Sequence, residues 1–117
     1  MDKVQSRTYE LTYLLPGSLT DSEVAQVRIE VENLLKKYKA EVLKNEDWGR
    51  KPLAYVITHN GKKNSDAMYV HLVFKGNSNQ AQALERDVYL LSAVMRHLLL
   101  VVEDLVEGQA ETVVETV

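Results

Sequence analysis

The sequence contains no cysteine, and this absence excludes several kinds of chemistry at once. Disulfide bonds, thiolate zinc sites, iron–sulfur clusters and cysteine nucleophiles all require the thiol group. Long apolar runs are also missing: the longest, Leu98–Val102, has five residues, whereas a membrane-spanning helix needs about 20. The first six residues have neither the apolar stretch of a secretory signal nor the arginine-rich pattern of a transit peptide, so we expect a cytoplasmic protein.

Proline and aromatic residues are scarce, with two prolines and 7% aromatic residues among 117. Apolar residues nevertheless make up 45% and charged residues 26%, which are ordinary values for a globular domain. A chain of this length forms one domain with its own core, and its net charge of -3 is too small for a wholly disordered chain. We expect a folded domain over residues 1–106 and an acidic, disordered tail over residues 107–117.

The charge is distributed unevenly along the chain. Five acids and no base follow Arg96, whereas the segment from Lys36 to Lys63 carries eight bases against three acids. A basic middle with an acidic tail indicates a nucleic acid or another charged partner. Ordinary surface lysines on a solvated face are the alternative, and charge alone does not decide between the two.

Alternating apolar residues over Thr8–Leu15 predict a half-buried strand. Thr20 and Glu23 then form a capping box before apolar residues at helical spacing, so a helix should begin there. The segment Glu41–His59 is rich in strand formers, and its glycine and proline predict a bulge or bend near Gly49 and Pro52.

The second half of the sequence repeats this alternation of strand and helix. We predict a turn at residues 60–66, a third strand over residues 68–75, a second helix capped near Asn77, and a fourth strand over residues 94–102. The order βαββαβ is that of the α+β, ferredoxin-like fold. It predicts a four-stranded antiparallel sheet with both helices on one face and the other face partly open for a partner.

The sequence shows little sign of a catalytic or metal site. No phosphate-binding glycine loop, nucleophile elbow or metalloprotease motif is present. His71 and His97 alternate with core-type residues and are interpreted as outward sheet residues rather than ligands. Glu46 and Asp47 are adjacent on a strand and therefore face opposite ways, which is unsuitable for sharing a proton. We therefore expect no enzymatic activity, no catalytic residue, no metal and no cofactor.

The most specific segment is Glu46–Ile57, which resembles the signature of the bacterial small-subunit ribosomal protein S6 family. That signature reads acidic, Trp, Gly, Arg, basic, any residue, then Leu-Ala-Tyr-Pro-Ile, and this chain departs from it with Val56 in place of the proline. Arg7–Glu10 and Val94–His97 are similar to the family's first and last strands. The resemblance covers nearly the whole body and implies a ferredoxin-like fold without catalysis.

The resemblance also implies partners. Proteins of this family bind the central domain of 16S rRNA together with ribosomal protein S18 during assembly of the small subunit, which places this chain on a ribosome, in a bacterial cytoplasm. Basic side chains can neutralise phosphates, and arginine can do so with a bidentate fork. The predicted RNA-binding residues are Arg7, Arg50, Lys51, Lys62, Lys63 and Arg96. Adjacent strands should bring Arg7 and Arg96 into one cluster, and the loss of Arg50 as a surface cation should cost less than about 1 kcal/mol of stability.

The predicted contact for the protein partner is the exposed strand edge around Trp48, Leu53 and Tyr55, because an apolar edge is ready to be covered. Trp48 could equally belong to the core. Tyr9, Tyr13 and Tyr55 fit packing within the sheet, with direct RNA contact as the alternative. A second function, a ferredoxin-like small-molecule regulatory domain or small enzyme, rests on fold analogy alone and would need a ligand loop that the sequence does not show.

Overall fold

The computed structural model of the chain describes residues 6–103 and 112–115. Its elements are β1 (Ser6–Pro16), α1 (Asp21–Lys37), β2 (Glu41–His59), β3 (Lys62–Asn77), α2 (Ser78–Tyr89), β4 (Arg96–Glu103) and β5 (Thr112–Glu115). The strands form one sheet in the order β2-β3-β1-β4-β5, and each neighbouring pair is antiparallel. The βαββαβ order predicted from the sequence is thus confirmed. Within the described part of the chain, no helix is long and apolar enough to cross a bilayer.

The sheet has one strand more than the sequence predicted. Thr112–Glu115 pairs with Leu100–Glu103 and lies inside the segment that we expected to be a tail. The predicted four-stranded sheet is present in the order β2-β3-β1-β4, and β5 adds a fifth strand beside β4, because a short Thr-Val-Val-Glu stretch can pair with an open sheet edge although its sequence pattern is weak. The boundary that we placed at residue 106 and the rest of the tail lie outside the described residues.

Each helix begins at a side chain that accepts hydrogen bonds from its first turn. Thr20 Oγ1 accepts from the Glu23 N–H at 3.2 Å, while the Glu23 carboxylate accepts from the Thr20 N–H at 2.8 Å, which completes the predicted capping box. Asn77 Oδ1 accepts from the N–H groups of Asn79 and Gln80 and so caps α2. These bonds satisfy N–H groups that the helices themselves leave unpaired.

The main core lies between the two helices and one face of the sheet. Every second residue of β1 is buried there, from Tyr9 to Leu15, and four apolar side chains of α1 meet them. Met68, Val70 and Leu72 continue the layer on β3. The opposite face of the sheet, here called the open face, is covered by neither of the two described helices. A second, smaller cluster of buried residues consists of Ile57, Ala67 and Met95.

The long hairpin formed by β2 and β3 positions most of the predicted site residues. Its two-residue turn has positive φ angles at Asn60 and Gly61, the conformation of a type I′ turn, for which Asn-Gly is the preferred sequence. β2 is an edge strand, and its pairing with β3 shifts register near Leu43, near Trp48 and between Pro52 and Ile57. The predicted bulge near the glycine and proline is confirmed. Such irregularities also discourage pairing with another sheet edge.

Candidate nucleic-acid interface

Four of the six predicted RNA-binding side chains are exposed at the end of the sheet that carries the β2–β3 turn. Lys51 pairs across the strands with Ala67, and Arg96 pairs with Leu14 near the end of β1. Lys62 and Lys63 follow the turn directly. We call Lys51, Lys62, Lys63 and Arg96 the hairpin-end cations. The fold therefore places at one end of the sheet four residues that are up to 45 positions apart in the sequence.

These four cations are not neutralised by acids of the described chain. The ion pairs among residues 6–103 involve other bases and are Arg28–Asp47, Lys37–Asp87, Lys44–Glu46 and His97–Glu85. Arg96 donates a hydrogen bond to the neighbouring Met95 carbonyl, and the Lys51 ammonium lies near two aromatic rings. Exposed positive charge without an acidic partner is what a phosphate backbone requires.

Arg50 has a structural task that the sequence does not reveal. Its Nε donates to the Gly17 carbonyl at 2.7 Å, and its Nη2 donates to the Leu19 carbonyl at 3.1 Å. Both acceptors belong to the loop between β1 and α1, so Arg50 fastens β2 to that loop. Nη1 makes no hydrogen bond to a residue of the described chain. Its availability leaves the predicted RNA contact possible alongside the structural one.

The expectation that Arg7 and Arg96 form one cluster is wrong. Arg96 pairs with Leu14, which is seven residues from Arg7 along β1, or about 24 Å at the rise of an extended strand. The odd number of intervening steps also places the two side chains on opposite faces of the sheet. Arg7 instead lines a depression with Tyr9, Ser78 and Glu85, on the side of α2. Adjacent antiparallel strands bring residues together only where the register pairs them.

Lys51 lies among aromatic side chains on the open face. Its Nζ is 5.7 Å from the ring centre of Trp48 and 5.7 Å from that of Tyr69. Trp48 stacks on His71 with ring centres 4.3 Å apart, and its Nε1 donates to the Glu46 carboxylate at 2.9 Å. Trp48 is 43% exposed, so it belongs to the open face and not to the core. The stack explains why His71, which faces this side as predicted, is nevertheless buried.

The predicted contact for a protein partner has a defined shape. A depression of about 220 Å³ is lined by Leu53, Tyr55, Tyr69 and Arg96, among others. Leu53 packs on the smaller cluster, whereas Tyr55 is 71% exposed and stands at the rim. The depression lies beside the edge strand β2. An apolar hollow with an exposed aromatic residue beside it is suited to protein contact, because burial of such residues contributes most at interfaces.

Tyr9 and Tyr13 belong to the main core, which decides one of the alternatives that the sequence left open. Their exposures are 3% and 1%, and Tyr9 stacks on Phe74. Burial raises the pKa of Tyr9, with the Arg7 guanidinium opposing the rise, and burial raises the pKa of Tyr13 well above its usual range. Both phenols therefore remain neutral at physiological pH. Of the three tyrosines, only Tyr55 is available to a partner.

The prediction that His97 is an outward-facing sheet residue is wrong. His97 faces α2 rather than outward, and its Nε2 lies 3.1 Å from the Glu85 carboxylate beside the ring of Tyr89. Its pairing with the buried Tyr13 puts it on the helix side of the sheet, which alternation in β4 alone did not show. Among the residues that the structure describes, no group of three His, Asp or Glu side chains could hold a metal ion.

A model of the family described as ribosomal protein S6 matches residues 8–101, which include both helices, β2, β3 and most of β1 and β4. The chain belongs to the ribosomal protein S6 family. It is 33% identical to small ribosomal subunit protein bS6 of Rippkaea orientalis over 110 residues, which are 94% of this chain and 86% of that protein. The bS6 protein of Thermoanaerobacter pseudethanolicus is 30% identical over 94 residues, which are 80% of this chain and 95% of that protein.

The same fold occurs in a solved member of the family. The crystal structure of 30S ribosomal protein S6 from Thermotoga maritima superimposes with a TM-score of 0.74 at 20% identity, and it covers 83% of this chain and 88% of that chain. The ferredoxin-like fold and the predicted family are thus both confirmed. Membership assigns this S6 chain a structural, non-enzymatic role in the small ribosomal subunit.

Sequence reasoning missed two contributors to the S6 surface. The Tyr69 ring lies beside Lys51 and lines the depression that Arg96 also lines. In the sequence, Tyr69 is only one member of an alternating strand pattern, which gives no sign of this position. Ser92 lies in the α2–β4 connection, where its carbonyl oxygen accepts hydrogen bonds from the turn of the β2–β3 hairpin. A carbonyl oxygen carries no sequence signal, since every residue has one.

Proposed function

We propose that this S6 chain binds the central domain of 16S rRNA together with ribosomal protein S18 during assembly of the small subunit, in a bacterial cytoplasm. The observation that carries the proposal is the set of hairpin-end cations, which are exposed and unpaired with acids of the described chain. The net charge of -3 argues against indiscriminate attraction to nucleic acid, so a local concentration of cations has to supply the contact.

The contact with S18 is proposed at the edge of β2 next to those cations. Trp48, Leu53 and Tyr55 give this edge its apolar surface, and Leu53 and Tyr55 share a depression with Arg96. Two partners would then meet side by side, with RNA on the cations and protein on the apolar edge. A protein that covers the edge would exclude water from neighbouring cation–phosphate contacts and so strengthen them.

The test is a filter-binding titration of a 16S central-domain fragment with the S6 chain, alone and with S18, at several salt concentrations. The variant Lys62→Ala/Lys63→Ala should weaken binding and reduce the magnitude of the slope of log affinity against log salt by about 1.4 to 1.8, because each lost phosphate contact removes about 0.7 to 0.9 from it. Lys39→Ala is the matched control, since Lys39 is an exposed lysine in the turn between α1 and β2.

Two further variants define the extent of the interface. Arg7→Ala should weaken binding only if the RNA also reaches the opposite end of the sheet, and Tyr55→Ala should weaken only the binding that depends on S18. Retention of full affinity by Lys62→Ala/Lys63→Ala, or affinity that does not respond to salt, would contradict the proposal.

A further inference from the structure

Two side chains at the turn of the β2–β3 hairpin hydrogen-bond to the same carbonyl group in the α2–β4 connection. His59 Nε2 lies 2.6 Å from the Ser92 carbonyl oxygen, and Asn60 Nδ2 donates to the same oxygen at 3.2 Å. A carbonyl oxygen can only accept, so the imidazole carries its proton on Nε2. These residues are more than 30 positions from Ser92 in sequence. We call the two hydrogen bonds the Ser92 latch.

The hairpin end is also stiffened from within. The Asn64 side chain is buried and donates to the carbonyl groups of Ile57 and Lys62, which joins the two strands across the turn. Ile57 packs with Ala67 and with Met95, which lies only three residues beyond Ser92. The hairpin end and the α2–β4 connection are therefore held together by an apolar contact as well as by the latch.

The latch lies between Lys62 and Arg96. Lys62 lines a depression with Asn64 and Ala93, whereas Arg96 lines a neighbouring one with Met95 and His97. His59, Asn60 and Ser92 line both depressions and thus form the wall between them. The position of Lys62 relative to Arg96 is set across this wall, because Lys62 moves with the hairpin and Arg96 is part of the central sheet.

We infer that His59 and Asn60 are positioning residues for rRNA binding: through the Ser92 latch they hold the hairpin lysines at a fixed distance from Arg96. The inference rests on the proposed function. Phosphates along a folded RNA have fixed spacing, and a binding surface that already matches this spacing loses less conformational freedom on binding. Neither residue needs to touch the RNA, since each acts through the lysines that follow it.

The test combines hydrogen exchange with a double-mutant cycle in rRNA binding. His59→Ala/Asn60→Gly removes both donors, and glycine retains the positive φ that the turn requires. In the free protein, amides of residues 58–63 should exchange several-fold faster, while the core amide of Leu72 should keep its rate. Affinity for the 16S central-domain fragment should fall about three- to tenfold. In the Lys62→Ala/Lys63→Ala background, the same change should cost less than about twofold, because the lysines are the route by which the latch acts.

His59→Gln provides a conservative control, since its side-chain amide retains an N–H donor, and it should bind within about twofold of the wild-type chain. Unchanged exchange in the double variant, or equal affinity losses in both backgrounds, would overturn the inference. The inference would also be overturned if His59→Gln lost as much RNA affinity as the double variant while its hairpin amides still exchanged slowly. The imidazole would then contact the RNA directly. Failure of the wild-type chain to bind the fragment even with S18 present would instead count against the proposed function, while exchange would still decide whether the latch restrains the hairpin.

Discussion

Replacement of Arg50 by alanine should destabilise the protein measurably, although the residue is exposed. Its guanidinium donates two hydrogen bonds, at 2.7 and 3.1 Å, to the carbonyl groups of Gly17 and Leu19. A hydrogen bond from a charged group contributes about 1.5–3 kcal/mol when buried, and solvent exposure reduces each of these to about 1 kcal/mol. We therefore expect Arg50→Ala to lower the free energy of unfolding by about 1.5–2 kcal/mol, well above the value of less than about 1 kcal/mol expected for a surface cation.

The assay for Arg50 is thermal and urea unfolding monitored by circular dichroism. For a chain of this size about 1 kcal/mol corresponds to about 4 °C, so the melting temperature should fall by about 6–8 °C. Lys63→Ala is the control, since Lys63 is also exposed but makes no hydrogen bond from its side chain to a described residue, and its effect should stay within about 0.5 kcal/mol. Arg50→Lys should lie between the two, because an ammonium group cannot reproduce the fork. If Arg50→Ala shifts the melting temperature no more than the control, the two bonds do not stabilise the loop.

Three further predictions concern other parts of the fold. Gly17→Ala should destabilise the protein by about 1–3 kcal/mol in urea unfolding, because the added methyl group would lie within 2.7 Å of the Asp66 carboxyl carbon, and an unchanged midpoint would show that Asp66 moves aside freely. Tyr38→Phe removes a 2.6 Å hydrogen bond to Asp87, which is the largest cause of the lowered pKa of that carboxyl, and should cost about 1 kcal/mol at pH 7. A carboxyl group whose pKa is lower in the folded than in the unfolded protein stabilises the fold at pH values above its unfolded pKa. The difference in unfolding free energy between Tyr38→Phe and the wild type should therefore narrow as pH falls below about 4. A difference that stays constant with pH would show that this hydrogen bond does not lower the pKa of Asp87. The single tryptophan, Trp48, should shift its fluorescence emission to the blue when S18 binds, and unchanged emission on a confirmed complex would place the S18 contact elsewhere.

The candidate site was predictable where it depends on the kind of residue and not where it depends on the register of the sheet. The signature around Trp48 and Arg50 indicated the family, and three of the four hairpin-end cations, all except Arg96, lie in the basic segment from Lys36 to Lys63. The Arg7–Arg96 cluster failed because adjacency of two strands does not say which residues are paired. The second role of Arg50 was hidden for another reason: its acceptors are backbone carbonyl groups of a distant loop.

The sequence by itself determined the order of the elements and the helix caps. These features follow from local chemistry: the Thr20–Glu23 capping box and the alternation that buries one face of β1. The turn predicted over residues 60–66 is in fact the Asn60-Gly61 pair, because residues 62–66 are paired in β3. Only the tertiary structure decided which face Trp48 occupies and which carbonyl group holds the hairpin end. Those facts depend on contacts between segments far apart in the chain, and the free energy of such contacts comes from burial and register that no local pattern encodes.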